Sequence, residues 1–159
     1  MESSVENGQM LKRLNSDPMA QEFCGRLARL QPDTPARWGK MNAHQMVCHL
    51  MDTFRAVGGE KHVSSVVNLY GRTLMKWGAL HTSIPWPHGI PTRPEIAQEA
   101  GGTPPAEWAT DCEELQRRIL GFPRWTQFEQ HPMMGTLTID EWRVWGYKHV
   151  DHHFRQFGV

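Results

Sequence analysis

Apolar residues recur every three or four positions in several stretches of this chain, which is the period of a helix that buries one face. The clearest such stretch lies between Asn42 and Val57. Asn42 and Gln45 form a capping pair that predicts the helix start, and Gly58-Gly59 predicts its end. Its apolar positions are Met46, Val47, Leu50, Met51, Phe54 and Val57.

The last helix is predicted from Ile139 to Phe157. Thr138 and Glu141 fit the capping box that satisfies the free amide groups at a helix start. Arg143 interrupts the pattern because it falls on the apolar side. The residues that cluster on that side are Ile139, Trp142, Gly146, Val150, Phe154 and Phe157.

Three further stretches also show helical spacing. The first begins near Ser16 or Asp17, with Pro18 at the first helical position and Phe23, Leu27 and Leu30 at core spacing. The others span residues 62–80, with Gly71 in the middle, and residues 106–120. In the 62–80 stretch the residues at helical spacing are Val63, Val66, Val67, Tyr70, Leu74 and Trp77. Because no run of alternating strands occurs, we expect an all-α bundle, with residues 10–159 forming one domain after a disordered lead-in of residues 1–9.

Six of the eleven prolines lie between Pro85 and Pro105, so residues 81–105 cannot sustain a helix or a central strand. A connection of this length is uncommon in compact domains. Two interpretations stay open: a wall or lid over a pocket, or a surface crossover between distant helix ends. In the first, Trp86 would line a substrate pocket.

Charge and cysteine content narrow the function classes. Seventeen basic and seventeen acidic residues cancel and form no basic run, which disfavours nucleic acid and membrane surfaces and favours a small molecule or another subunit as partner. The three cysteines form no C-x-x-C pair, and the first nine residues lack the apolar stretch of a signal peptide. We therefore expect a cytoplasmic protein without a membrane span.

Candidate chemistry is concentrated near the carboxyl end, where His149 and His153 stand at positions i and i+4. Helix geometry puts these side chains on one face about 6 Å apart, which suits two ligands of one metal ion. His152 lies nearer the polar side. A transition-metal site needs at least one more ligand. The candidates are His44, His49, His62, His81, His88 and His131, and periodicity does not choose between His44 and His49.

The segment from Trp38 to Leu50 and the ending from Lys148 to Phe157 resemble the DinB/YfiT-like superfamily of metal-dependent enzymes. The stretch from His131-Pro132 to Glu141-Trp142 resembles one uncharacterised subgroup in particular. This resemblance implies a four-helix bundle that binds a divalent metal through His49, His149 and His153. It leaves the 62–80 helix as an extra element.

Three histidine ligands leave a coordination position open, as in catalytic sites, and favour Zn or Ni. Two chemistries are then open: hydrolysis by activated water, or transfer involving a low-molecular-weight thiol, as in thiol-transferase members of the resembled superfamily. The alternative is a non-catalytic metal-binding or dimerising bundle. The tryptophan content and the habits of the superfamily favour a homodimer, and no catalytic residue is assigned.

Smaller expectations concern the surroundings of the site. Asp52 either orients a ligand or is solvated, and the solvated interpretation is favoured. Cys48 is expected to be a small buried hydrophobe. His88 and His131 are expected on loop surfaces.

Overall fold

The computed structural model describes residues 10–159, and within them it is all-α, as expected. A π-helical turn, Gly71–Met75, runs directly into the short helix Lys76–Leu80. Turns of 3-10 helix occur at Pro94–Ile96 and Phe122–Arg124. These residues form no strand, only an isolated bridge between His131 and Gly135. The predicted disorder of residues 1–9 lies outside the described residues. The helices are α1 Asp17–Leu27, α2 Ala43–Val57, α3 Lys76–Leu80, α4 Trp108–Gly121 and α5 Ile139–Gln156.

Both predicted capping boxes form. The Asn42 side chain accepts a hydrogen bond from the Gln45 amide, and the Gln45 side chain accepts one from the Asn42 amide. Thr138 and Glu141 make the same reciprocal pair at the start of α5. Each box satisfies amide groups that a helix start leaves free. Helices α1 and α4 also lie close to their expected bounds. Four of the five predicted helices are thus confirmed.

Helices α1, α2, α4 and α5 contribute most of one shared hydrophobic core. The apolar faces predicted for α2 and α5 both point into it. Gly146 lies in this core, where a Cβ atom would overlap the Phe122 ring, so only glycine permits this packing. The largest fully buried aromatic side chains are Phe23, Phe54, Phe122, Trp142 and Phe154.

Arg143, the polar exception on α5, is buried, and two of its guanidinium nitrogens have hydrogen-bond acceptors. Its guanidinium donates to the backbone carbonyls of Phe122 and Trp125. A buried cation is tolerated where such acceptors replace water. Arg143 thereby joins α5 to the 3-10 turn after α4, despite interrupting the apolar pattern.

The predicted 62–80 helix is wrong over its first part: the backbone is helical only from Leu69. Residues 62–68 instead run past the turn at 131–135, where the Val66 amide donates to the Pro132 carbonyl at 2.7 Å. Gly71 packs so closely on the Met133 carbonyl that a Cβ atom would overlap it. The tertiary contact with this turn therefore overrides the helical period.

Residues 81–105 connect α3 to α4 without an α-helix, as expected from their prolines. Lys148 ties the beginning of this connection to α5 by donating to the carbonyls of Thr82 at 2.6 Å and Ile84 at 3.1 Å. Asp52 ties its end to α2 by accepting from the Thr103 amide at 2.6 Å. The connection is thus held against both helices that carry the candidate metal ligands.

None of the helices between residues 10 and 159 combines the length and the apolar character that crossing a membrane requires.

Candidate metal centre

The three histidines expected to be ligands lie together between α2 and α5. One potential ligand atom from each of His49, His149 and His153 lies within 4.8 Å of those of the other two. The centroid of the His49 ring is 5.6 Å from that of His149 and 4.8 Å from that of His153. The group is the right size to surround one metal ion.

His49 is oriented by the proline-rich connection. Its Nδ1 lies 2.9 Å from the Ile96 carbonyl oxygen, in the 3-10 turn. Because a carbonyl oxygen only accepts hydrogen bonds, Nδ1 must carry the proton in the neutral ring. The Nε2 lone pair is then available to a metal, and the backbone acceptor fixes the ring as the second contact of a metal-binding histidine commonly does.

His153 is oriented by a chain of two hydrogen bonds. Its Nδ1 lies 2.9 Å from Oε1 of Gln156, and Nε2 of Gln156 donates to the Trp38 carbonyl at 2.9 Å. The Trp38 carbonyl therefore determines which end of the amide faces His153. Gly39, at φ +82°, leaves room for this amide, since a Cβ atom would lie 2.5 Å from its nitrogen. His153 thus also keeps Nε2 as the free lone pair.

His149 differs because its Nδ1 is buried without a hydrogen-bond partner among the described residues. The ring packs between Trp86 at 5.7 Å and Trp145 at 4.7 Å, measured between centroids. A buried polar atom without a partner costs about 1–3 kcal/mol. An imidazole nitrogen left in this state fits a ligand of a metal ion better than an ordinary core residue.

Burial lowers the pKa of all three histidines, and neighbouring imidazoles lower the pKa of His149 and His153 further. The rings are therefore neutral near pH 7. Neutral imidazole is the form that binds transition metals, so a metal ion would bind here without first displacing protons. Taken with the two oriented rings, these residues fit a divalent metal ion.

The remaining histidine candidates lie outside this group. His152 is half-buried next to Trp86, and His88 is exposed and stacks on Trp38 at 3.9 Å, so the surface expectation for His88 is confirmed. His131 also lies in a turn, as expected, but it is half-buried against Trp142 and Trp145, and this burial lowers its pKa to about 4. Its Nδ1 accepts hydrogen bonds from two backbone amides in the 131–135 turn.

Asp52 is fully buried, which corrects the expectation that it is solvated. Burial alone would raise its pKa, but hydrogen bonds from Lys61 and Thr103 outweigh burial and lower the pKa. It makes no hydrogen bond to His49, whose Nδ1 faces the Ile96 carbonyl instead. Asp52 instead holds Thr103, near the end of the proline-rich connection. The same connection carries Ile96, whose carbonyl contacts His49.

The structure also shows a second group of potential ligands that the sequence did not predict. Nε2 of His44 and Sγ of Cys48 approach the same carboxylate oxygen of Asp111, at 2.7 and 3.7 Å. Burial, and then the Asp111 charge, raise the pKa of Cys48 to about 12. The i, i+4 spacing of His44 and Cys48 was visible in the sequence, whereas Asp111 reaches them only through the packing of α4 on α2.

A cavity of about 170 Å³ adjoins the histidine group. Trp86 and His152 line it, and each also packs against a histidine of the group. Three cationic side chains, Lys12, Lys148 and Arg155, share the lining with the single carboxylate of Asp151. Trp86 thus lines a cavity, in line with the first of the two interpretations, and the proline-rich connection supplies part of the cavity wall.

Comparisons with protein-family models, curated proteins and solved structures found no match to this chain. The resemblance to the DinB/YfiT-like superfamily stays a prediction.

Proposed function

We propose that this protein is a metal-dependent enzyme of the DinB/YfiT-like type, a four-helix bundle in which His49, His149 and His153 hold one divalent metal ion. One observation carries the proposal. Three neutral imidazoles converge, and a buried nitrogen of one of them has no other partner among the described residues.

Ordinary core histidines would satisfy one another by hydrogen bonds from a protonated to an unprotonated nitrogen. The Nδ1 protons of His49 and His153 are instead used by Ile96 and Gln156, which point away from the group. Three facing imidazoles that make no hydrogen bond to one another are stable together when a cation lies between them. This arrangement favours a metal ion over a purely structural histidine cluster.

Imidazole ligands suit Zn or Ni, and an ion with an open position would act there as a Lewis acid. The protein's own part is positional. The Ile96 carbonyl and the Gln156 amide fix two rings, and the Trp86 and Trp145 side chains shield the third from water. The cationic cavity next to Trp86 suits an anionic part of a small-molecule substrate.

Two reaction types share this set of ligands. In hydrolysis the co-reactant is water; in thiol S-transfer it is a low-molecular-weight thiol that attacks an electrophilic substrate. The alternative is a metal-binding bundle without turnover. Proposed partners are thus a small molecule and, for the transferase, a thiol.

The test begins with the metal content of purified, tag-free protein. We expect close to one Zn or Ni per chain in the wild type, and loss of the metal in His49→Ala, His149→Ala and His153→Ala. His152→Ala is the matched control on α5, and His44→Gln is the control on α2. Both should keep the metal. Circular dichroism must show that all five variants remain helical.

A wild type without metal after reconstitution, or folded triad variants that keep it, would refute the metal site. With the site established, electrophilic substrates and hydrolysable esters or amides are screened with and without thiol. Turnover only with thiol identifies a transferase, and turnover without it a hydrolase. Metal binding without turnover in either screen supports the binding protein.

A further inference from the structure

The helical segment from Leu69 to Leu80 turns a row of large apolar side chains away from the protein. Leu69 is 79% exposed, Tyr70 61%, Leu74 68% and Trp77 62%. Tyr70, Leu74 and Trp77 follow one another at spacings of four and three residues, so they share one side of the helix. We call these four residues the outer face.

The outer face is the side that the sequence pattern marks as buried. Tyr70, Leu74 and Trp77 carry the helical period that predicted a core-facing helix. Single exposed apolar residues are ordinary on protein surfaces, but contiguous apolar patches beyond about 300–600 Å² mark interaction sites. Apolar residues that have the period of a buried helix face but are exposed to solvent indicate that a binding partner is missing.

The helix cannot bury this face by turning over, because its other side is held in place. Gly71 lies directly on the Met133 carbonyl, and Leu80 is buried in the core. Lys76 forms an ion pair with Glu141 of α5 at 2.9 Å, and His81 contacts the other oxygen of that carboxylate at 3.0 Å. These contacts fix which side faces outward.

We propose that the outer face is the homodimer interface, covered by the same face of a second copy of this chain. The four side chains are 61–79% exposed, so each offers on the order of 100–150 Å², and together on the order of 500 Å² per partner, which is near the minimum for a specific interface. A two-fold axis through the face would pair it with itself.

The composition of the segment favours a second copy over a lipid surface. Residues 63–80 contain no acidic side chain and two basic ones, of which Lys76 is already paired with Glu141. Arg72 alone would attract anionic lipid, which is little for a surface-binding helix. Tyr and Trp in an apolar seam with Leu are instead typical of the centre of protein interfaces.

The interface would also bear on the proline-rich connection, which begins where α3 ends. The Trp86 indole donates to the Ala79 carbonyl of α3 at 3.0 Å. A partner that holds α3 would therefore steady Trp86 at the wall of the cavity. The dimer itself does not depend on the proposed enzymatic function.

The experiment is light scattering of the wild type and two charge variants, Leu74→Glu and Trp77→Glu, across the micromolar range. We expect the wild type at twice the mass of one chain, and each variant to weaken the dimer at least about thirtyfold, as loss of a hot-spot side chain does. Ile139→Glu is the matched control, because Ile139 is also a half-exposed aliphatic residue but lies outside this face. It should remain dimeric.

A monomeric wild type throughout this range overturns the proposal, as does a dimer unchanged in both charge variants. Wild-type chain that is monomeric but co-floats with vesicles of phosphatidylcholine and phosphatidylserine also overturns it, and identifies a lipid surface. A second measurement guards against misfolding. Leu74→Cys should cross-link to itself under mild oxidation, and Ile139→Cys should not.

Discussion

Two groups of potential metal ligands lie on opposite sides of α2, and they differ in how their polar atoms are satisfied. In the second group, the Asp111 carboxylate accepts from both His44 and Cys48 and from the Ala106 amide. The first group consists of three imidazoles and no carboxylate, and Nδ1 of His149 has no hydrogen-bond partner within residues 10–159.

This difference shows why proximity alone is a poor guide to a metal site. A carboxylate that already holds a ring N–H and a thiol S–H makes the second group complete as a hydrogen-bond network. Moreover, a thiol with a pKa near 12 resists the deprotonation that metal binding requires. Under the proposed function a cation completes the first group, so the two groups should respond oppositely to added metal.

The largest expected effect is stabilisation by metal. Zn²⁺ at a thousand times its dissociation constant should raise the free energy of unfolding of the metal-free wild type by about 4 kcal/mol, because binding to the folded state alone stabilises it. The effect should vanish in His153→Ala and persist in Cys48→Ser. Urea unfolding with and without Zn²⁺ measures it.

If Cys48→Ser lost the stabilisation by Zn²⁺ and His153→Ala kept it, the metal would lie in the second group and the contrast between the two groups would be wrong. Equal loss in both variants would mean that the groups bind as one site.

The next largest effect concerns the carboxylate of the second group. Asp111→Ala should lower the free energy of unfolding by about 2 kcal/mol, because it leaves the half-buried His44 donor and the buried Cys48 donor without their acceptor. Metal content should not change. Asp33→Ala, at an exposed aspartate, is the control and should stay within about 0.5 kcal/mol of the wild type. If Asp111→Ala is as stable as this control, the hydrogen bonds of the second group do not contribute to the free energy of unfolding.

The smallest effect is a dependence on alkaline pH. The pKa of Cys48 is about 12 in the fold, against 9.0 for a free thiol. Above pH 9 the unfolded chain loses this proton and the folded chain keeps it, so stability falls as pH rises. The slope is about half of 1.4 kcal/mol per pH unit at pH 9 and approaches 1.4 kcal/mol per unit between pH 10 and 11.

Denaturant unfolding of the wild type and Cys48→Ala at pH 8, 9 and 10 isolates this contribution, because the other titrating groups are common to both. The wild type should lose about 1 kcal/mol more than the variant between pH 9 and 10, because the unfolded thiol is already half ionised at pH 9. If the free energy of unfolding falls equally with pH in both proteins, the Cys48 thiol ionises as freely in the folded chain as in the unfolded one. The hydrogen bond from Cys48 to Asp111 would then be absent in solution.

Local signals in the sequence were sufficient for most of the helices. Capping pairs at Asn42 and Thr138 and the apolar period of α2 and α5 act over a few residues, so they are readable without the fold. The 62–80 stretch failed because a contact with the Met133 turn, some sixty residues away in sequence, replaces helix with extended chain before Leu69.

At the candidate site the sequence predicted which histidines could be ligands, although the third was chosen by resemblance and not by periodicity. It did not reveal what orients them. The Ile96 carbonyl that fixes His49 and the Trp38 carbonyl that fixes the amide of Gln156 are backbone groups from distant segments. Every residue carries a backbone carbonyl, so no side-chain pattern marks those that approach a ring.

The sequence by itself determined the helical class, the two capped helices and the i, i+4 pair of His149 and His153, because each depends on contacts within a few turns of one helix. Only the tertiary structure decided that Asp111 completes a second group, that Asp52 is buried, and that the apolar face of Tyr70, Leu74 and Trp77 looks outward. Helical periodicity shows that a face is apolar, but what covers that face depends on packing between segments far apart in the chain.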